Sequence, residues 1–395
     1  MDTAPGFNGR WQSYVSVAGV ACLALGLLWD ISWHISIGRD TFWQPAHIVI
    51  QLGGVVPAAL FGWQALQTTF RGDPNRRAGA IRFWGARGAF GGWVTMWGAV
   101  AMLTSAPFDD WWHNTYGLDV KIVSPPHAIL GLGMFAVTLG VLFFVLSRQN
   151  RASSEDERKS ALLFTLAAGL MVTMLSVYAT EYTWPNRQHT ANYYRVVSVV
   201  YPFLLVACAR ASKLRWPATM AAGIYMVIMM GLIWVLPLFP AQPKLAPIYN
   251  PVDHMVPPPF PMLLVFPALL VDLWLQRRKG WTDDAAAALR PPWHRRAWFR
   301  EWILAAGVAA TFLAATLAVQ WFFSRFLLSP RADNWFFAGS RHWPYYNEPG
   351  PWRSEFWDLG QDPVNMKSLA LVLFLGVLSS RAGLTCGGWM LTVKR

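Results

Sequence analysis

The stretch Trp29–His47, WDISWHISIGRDTFWQPAH, decides how this chain is read. It starts where one apolar run ends and stops where the next begins. Each run is about twenty residues long, enough at about 1.5 Å per residue to cross about 30 Å of hydrocarbon as a helix. Asp30 and His34 stand four residues apart at the end of the first run, and His47 opens the second. The segment therefore reads as a polar turn between two membrane-crossing helices.

The same pattern recurs outward from it. Apolar runs lie near 12–34, 46–69, 84–106, 127–148, 160–182, 194–212, 216–238, 259–276, 302–328 and 367–392, the last interrupted by Arg381. Of 395 residues, 54% are hydrophobic, only 14% are charged and 24 are Trp, which excludes an ordinary soluble domain. The expected fold class is all-α, a polytopic integral membrane bundle of about ten transmembrane helices. The first residues, MDTAPGFNGRWQSY, mix Asp2 with Arg10 and lead into no small-residue cleavage pattern, so the first span is expected to be retained. Cys22, Cys208 and Cys386 form no spaced pair and point neither to a disulfide framework nor to a thiolate metal site.

The formal net charge is +12. Its carriers fall in alternate connections: Arg71, Arg76, Arg77 and Arg82; Arg148, Arg151, Arg158 and Lys159; Arg210, Lys213 and Arg215; and seven Lys or Arg between 277 and 300. Lys and Arg collect in cytoplasmic loops, so orientation accounts for the charge and no nucleic acid is needed as a partner. Both termini are then expected in the cytoplasm, and a prokaryotic inner or plasma membrane is the expected location. His34, His47, His113, His127, His189, His254 and His342 all come out on the outer, periplasmic side, with only His294 opposite.

A repeat organises four of them. A shift of 79 positions lays Asp30 on Asp109, Trp33 on Trp112, His34 on His113, Gly38 on Gly117 and Asp40 on Asp119. With one further residue inserted, Pro45 meets Pro125, His47 meets His127 and Gly53 meets Gly133. Two regions follow: 1–150, four spans containing the duplicated hairpin, and 151–395, six spans with an aromatic outer loop at 329–366.

An i, i+4 pair shares one helix face, and a short turn returns the next histidine to the neighbouring helix top. Asp30, His34 and His47 can thus converge as an N/N/O set that suits copper, zinc or iron and leaves coordination positions open. The alternative is a capped helix end, with Asp30 or Asp40 bonding backbone amides or Arg39 and His34 set among tryptophans.

The motif DISWHISIGRDTFWQPAHI resembles the first metal motif in the C subunit of the copper membrane monooxygenases, the methane and ammonia monooxygenase family. The matching residues are Asp30, Trp33-His34, Arg39-Asp40-Thr41 and Pro45-Ala46-His47-Ile48. The second copy is similar to that family's second site at Asp109, His113 and His127, where Asp109 stands in place of the family's asparagine. The resemblance covers about the first 150 residues. It implies copper held by Asp30, His34 and His47, a neighbouring set at His113 and His127, and partner membrane subunits. Asp40 and Asp119 are candidates for orienting the imidazoles from behind.

In the second half, Glu181 and His189 in EYTWPNRQH and Asp253-His254 in NPVDHMVPPPFP add polar groups on the outer side, the prolines stiffening the start of a span. Three functions are carried forward. The first is a subunit of a copper-dependent hydroxylase using O2 on a small apolar substrate. The second is non-catalytic copper acquisition or transport. The third is a haem or structural subunit of a respiratory complex, with His47 and His127 as axial ligands.

Overall fold

In hydrocarbon a backbone must satisfy its own polar groups, and uncharged runs of this length do so as helices. The computed structural model describes residues 10–38, 43–72, 74–117, 124–242, 252–277, 295–338 and 362–394. Ten long helices cover most of them: α1 (Arg10–Ser36), α2 (Pro45–Arg71), α3 (Phe90–Tyr116), α4 (Pro125–Gln149), α5 (Ser154–Tyr178), α6 (Ala191–Ala211), α7 (Pro217–Val235), α8 (Val265–Arg277), α9 (Arg295–Leu327) and α10 (Met366–Met390). Eight are long and apolar enough to cross a membrane. The glycines and tryptophans of α3 and the 13-residue length of α8 set those two apart. The chain is a helical integral membrane protein.

Two expected spans are corrected. The run at 84–106 does not start as a helix. Residues Ile81–Phe83 (β1) and Ala86–Gly88 (β2) pair antiparallel around Trp84-Gly85, whose φ angles of 44° and 86° make the two-residue turn that matches strand twist. Helix α3 therefore begins only at Phe90 and runs on to Tyr116. This small hairpin is the one sheet among the described residues.

The run at 259–276 is helical only from Val265. The residues before it are extended, yet Val256, Phe260, Met262 and Leu264 are buried. Non-helical backbone at membrane depth needs partners inside the protein. Pro257, Pro258, Pro259 and Pro261 have no N–H to satisfy. The N–H of Val256 donates to Ser36 Oγ (2.7 Å), that of Met262 to the Tyr225 hydroxyl (3.3 Å) and that of Leu263 to Gln320 Oε1 (2.9 Å).

The chain divides into two compact units, one of Met1–Asp30, Arg39–Met171 and Val393–Arg395, the other of Ile31–Gly38 and Val172–Thr392. The first therefore extends beyond residue 150 into α5. Its core includes Leu23, Met102 and Phe144, with Phe61 edge-on to Phe144 at 4.6 Å. The second is built around Tyr193, Tyr201, Leu205 and Phe312.

The repeat is visible in how the helices of the first unit cross. A Cβ placed on Gly53 of α2 would lie 2.8 Å from the Gly19 carbonyl of α1, and one on Gly133 of α4 would lie 2.8 Å from the Gly98 carbonyl of α3. Gly19 and Gly98 are 79 positions apart, so the crossing point belongs to the same repeat as the histidines. Small residues at such crossings let two membrane helices approach backbone to backbone.

Candidate metal centre

Helix α3 carries Asp109 and His113 one turn apart, close to its C-terminal end. The helix stops at Gly117, whose φ of 85° and ψ of −177° lie in a region kept to glycine. That conformation folds the residue back over the last turn. The Gly117 N–H donates to the His113 carbonyl at 3.0 Å, and the Gly117 carbonyl lies 3.1 Å from His113 Nδ1. Helix α4 then opens with Ser124 as its N-cap, the side chain accepting from the His127 N–H, and with Pro125 and Pro126 in the first turn. These local signals set His127 opposite Asp109.

The resulting cluster lies wholly within the first unit. Asp109, His113 and His127 each offer one ligand atom, and the three atoms lie within 4.8 Å of one another. Asp109 Oδ1 is 3.1 Å from His113 Nε2 and 3.6 Å from His127 Nε2. Ligands at about 2.0–2.2 Å from one ion are separated by about 3.0 Å at a right angle and about 3.4 Å at a tetrahedral angle. The two measured separations, 3.1 and 3.6 Å, lie close to those edges. The His113 and His127 ring centroids are 6.3 Å apart, so both imidazoles approach the carboxylate from different sides.

Protons sharpen the geometry. A carbonyl can only accept, so the contact with Gly117 assigns the ring hydrogen of His113 to Nδ1. In the neutral ring, Nε2 then presents a lone pair to a carboxylate oxygen. His113 Nε2 is buried and makes no hydrogen bond. Two electron-rich atoms facing each other at 3.1 Å repel unless a cation or an added proton stands between them. A backbone carbonyl that fixes the distal ring nitrogen is the usual support of a metal-bound histidine.

The first copy is similar but not identical. Asp30 and His47 of this copy lie in the first unit, while His34 falls in the Ile31–Gly38 segment of the second. Asp30 Oδ1 is 3.1 Å from His47 Nε2, and the same oxygen accepts a hydrogen bond from the Gln44 side-chain amide. Gln44 is the N-cap residue of α2 and makes no cap through its side chain. Gly38 repeats the positive φ of Gly117, at 95°.

Asp40 and Asp119, expected to orient imidazoles, lie outside the described residues, as do His294, His342 and positions 339–361 of the aromatic loop. Other expected polar groups are placed elsewhere. His189 is buried, with Nε2 3.2 Å from both the Trp321 carbonyl and Ser324 Oγ, and burial lowers its pKa below the ordinary histidine value. His254 Nδ1 sits 2.7 Å from the neighbouring Asp253 carboxylate. His47 and His127, the pair considered for haem, belong to separate clusters. Sequence reasoning missed Gln44, Ser124 and Gly117 as parts of the centres. The signal was present in the repeat, which aligns the two cap residues and the two glycines.

Fold and site together define a class: a helical integral membrane protein with a candidate centre at Asp109, His113 and His127 and a related Asp30–His47 pair, both at the ends of paired helices. No protein-family model, no curated protein and no solved structure matches the chain.

Proposed function

We propose that the protein is a membrane copper-binding protein related to the C subunit of the copper membrane monooxygenases. It serves as a subunit of a copper-dependent hydroxylase that uses O2 on a small apolar substrate. The observation that carries this is the Asp109–His113–His127 cluster, with its ligand-like separations and the Gly117 carbonyl behind His113. Two imidazoles and one carboxylate are a donor set that fits copper, with zinc or iron as other occupants of the same chemistry. Copper bound there would supply the redox centre for oxygen chemistry. The protein's own part is to hold three donors on two rigid helices, to fix the His113 tautomer through Gly117 and to leave positions open.

Ten spans put both termini in the cytoplasm, by the distribution of Arg and Lys, and the clusters at the outer side. Helices α1, α2 and α4 carry an arginine at one end and cluster residues at the other, Arg10 against Asp30, Arg71 against His47 and Arg148 against His127. Partner membrane subunits complete the enzyme. Membranes containing the chain should oxidise a small alkane or ammonia, lose that activity on copper chelation and regain it when copper returns. The variant Asp109→Ala should not regain it. Activity indifferent to chelation and to Asp109 would refute the reading. Copper bound at both clusters without any oxidised product would favour copper acquisition or transport.

A further inference from the structure

A second charged cluster lies in the other unit, remote in sequence from the histidines. Arg210, in the last turn of α6, donates from Nη1 to Glu301 Oε1 of α9 at 3.0 Å and to the Leu384 carbonyl of α10 at 2.8 Å. Arg381 of α10 reaches the other oxygen of the same carboxylate, Nη2 to Oε2, at 2.7 Å. Its guanidinium carbon lies 5.8 Å from the centre of the Trp302 ring. Arg381 stands nine residues before the end of α10, about 14 Å along the helix axis.

Two guanidiniums against one carboxylate leave the cluster one positive charge in excess, and no second carboxylate contacts either arginine among the described residues. The Arg210 side chain is only 4% exposed. Three buried donors in the cluster, Nε of Arg210, Nε of Arg381 and Nε1 of Trp302, make no hydrogen bond. Buried N–H groups of charged side chains are costly to leave unmatched, and an excess cation within a membrane segment needs a counter-charge. Glu301 and Arg381 keep 21% and 18% of their side-chain surface, so the cluster is open to its surroundings. Arg210 is followed by Lys213 and Arg215, and Glu301 is preceded by Arg300, which makes the same helix ends basic.

We propose that this cluster binds one phosphate-bearing anion, and that its source is the headgroup of an anionic phospholipid from the surrounding leaflet. Guanidinium groups match phosphate oxygens in pairs, and a basic pocket between membrane helices is a headgroup site by its chemistry. The inference is independent of copper.

Native mass spectrometry of the full chain, delipidated and then titrated with phosphatidylglycerol, phosphatidylcholine or inorganic phosphate, tests it. One phosphatidylglycerol should bind about tenfold or more tightly than phosphatidylcholine, the size of one charge-assisted contact. Arg381→Gln should abolish that preference, and Glu301→Gln, which keeps both arginines and removes the competing carboxylate, should retain or strengthen it. Tight binding of inorganic phosphate at the same positions would uphold the anion site and make free phosphate the source. Equal binding of both lipids by the wild-type chain, with no phosphate bound, would overturn the proposal. So would a preference left intact in Arg381→Gln. Should Arg381→Gln not fold, a preference weakened or lost in Glu301→Gln would count against it equally.

Discussion

The two hairpins of the first unit cross at equivalent glycines, Gly19 with Gly53 and Gly98 with Gly133, and carry the same Asp-x3-His spacing to the end of the first helix. They part at the N-cap of the second helix. In the second copy Ser124 turns its side chain to its own helix and caps the His127 N–H, while Asp109 Oδ1 faces its two histidines. In the first copy Gln44 makes no cap and donates instead to the Asp30 oxygen that faces His47. A hydrogen bond to a carboxylate contributes about 1.5–3 kcal/mol, and an ion that takes the same oxygen must share it or displace it. The difference teaches that a duplicated ligand set can be tuned by a residue that is no ligand. The second centre should be the tighter of the two.

The largest effect expected is at the shared carboxylate. Asp109→Ala should weaken copper at the second centre by about a hundredfold or more, because it removes the anionic donor between two imidazoles. Competition titration with a copper chelator measures this, and an unchanged affinity would break the comparison at its root. Next comes Gly117→Ala. A Cβ there meets open space, so the cost is purely the backbone angle of 85°, about 1–3 kcal/mol. The loss should appear as about a tenfold to hundredfold fall in affinity at the second centre, with the rest of the fold intact by circular dichroism.

A smaller effect tests the cap residue itself. Gln44→Ser should free Asp30 and tighten the first centre by about tenfold, bringing it towards the second. No change on this exchange, measured by the same chelator titration, would remove the cap as the cause. The smallest effect is a control. His189→Gln should leave both centres untouched, since its Nε2 contacts Trp321 and Ser324 and it belongs to neither group of ligand candidates. It should change acid stability instead. Burial lowers the His189 pKa in the fold, so the unfolded chain binds its proton first, and the stability present above about pH 6.5 falls as pH drops through that value. The glutamine variant should lose less stability on acidification, as thermal melts at pH 7 and below would record.

Much of this was legible in the sequence. Eight of the ten expected spans appear as long helices near their expected limits, because uniform apolarity admits one backbone solution in hydrocarbon. Asp109, His113 and His127 fall into one cluster and Asp30 meets His47, because i, i+4 spacing and a proline-led helix start fix side-chain direction locally. What failed was backbone that solves the same problem otherwise. The run from Trp84 read as the start of a span, yet Trp84-Gly85 with positive φ turns a hairpin. Prolines before Val265 read as a helix start, yet with their donors removed the chain could stay extended and buried on Ser36, Tyr225 and Gln320. The role of Gln44 depends on a side-chain choice between cap and carboxylate, which no spacing encodes.

The most direct test is the metal content of the purified chain, with the paramagnetic resonance of its copper, beside the double variant His113→Ala/His127→Ala. The wild-type protein should bind copper with nitrogen hyperfine structure from two imidazoles, and the variant should lose one ion per chain and the signal of the tighter site. A wild-type chain that binds no copper, zinc or iron after metal is supplied, or a double variant with unchanged metal content and spectrum, would contradict the account.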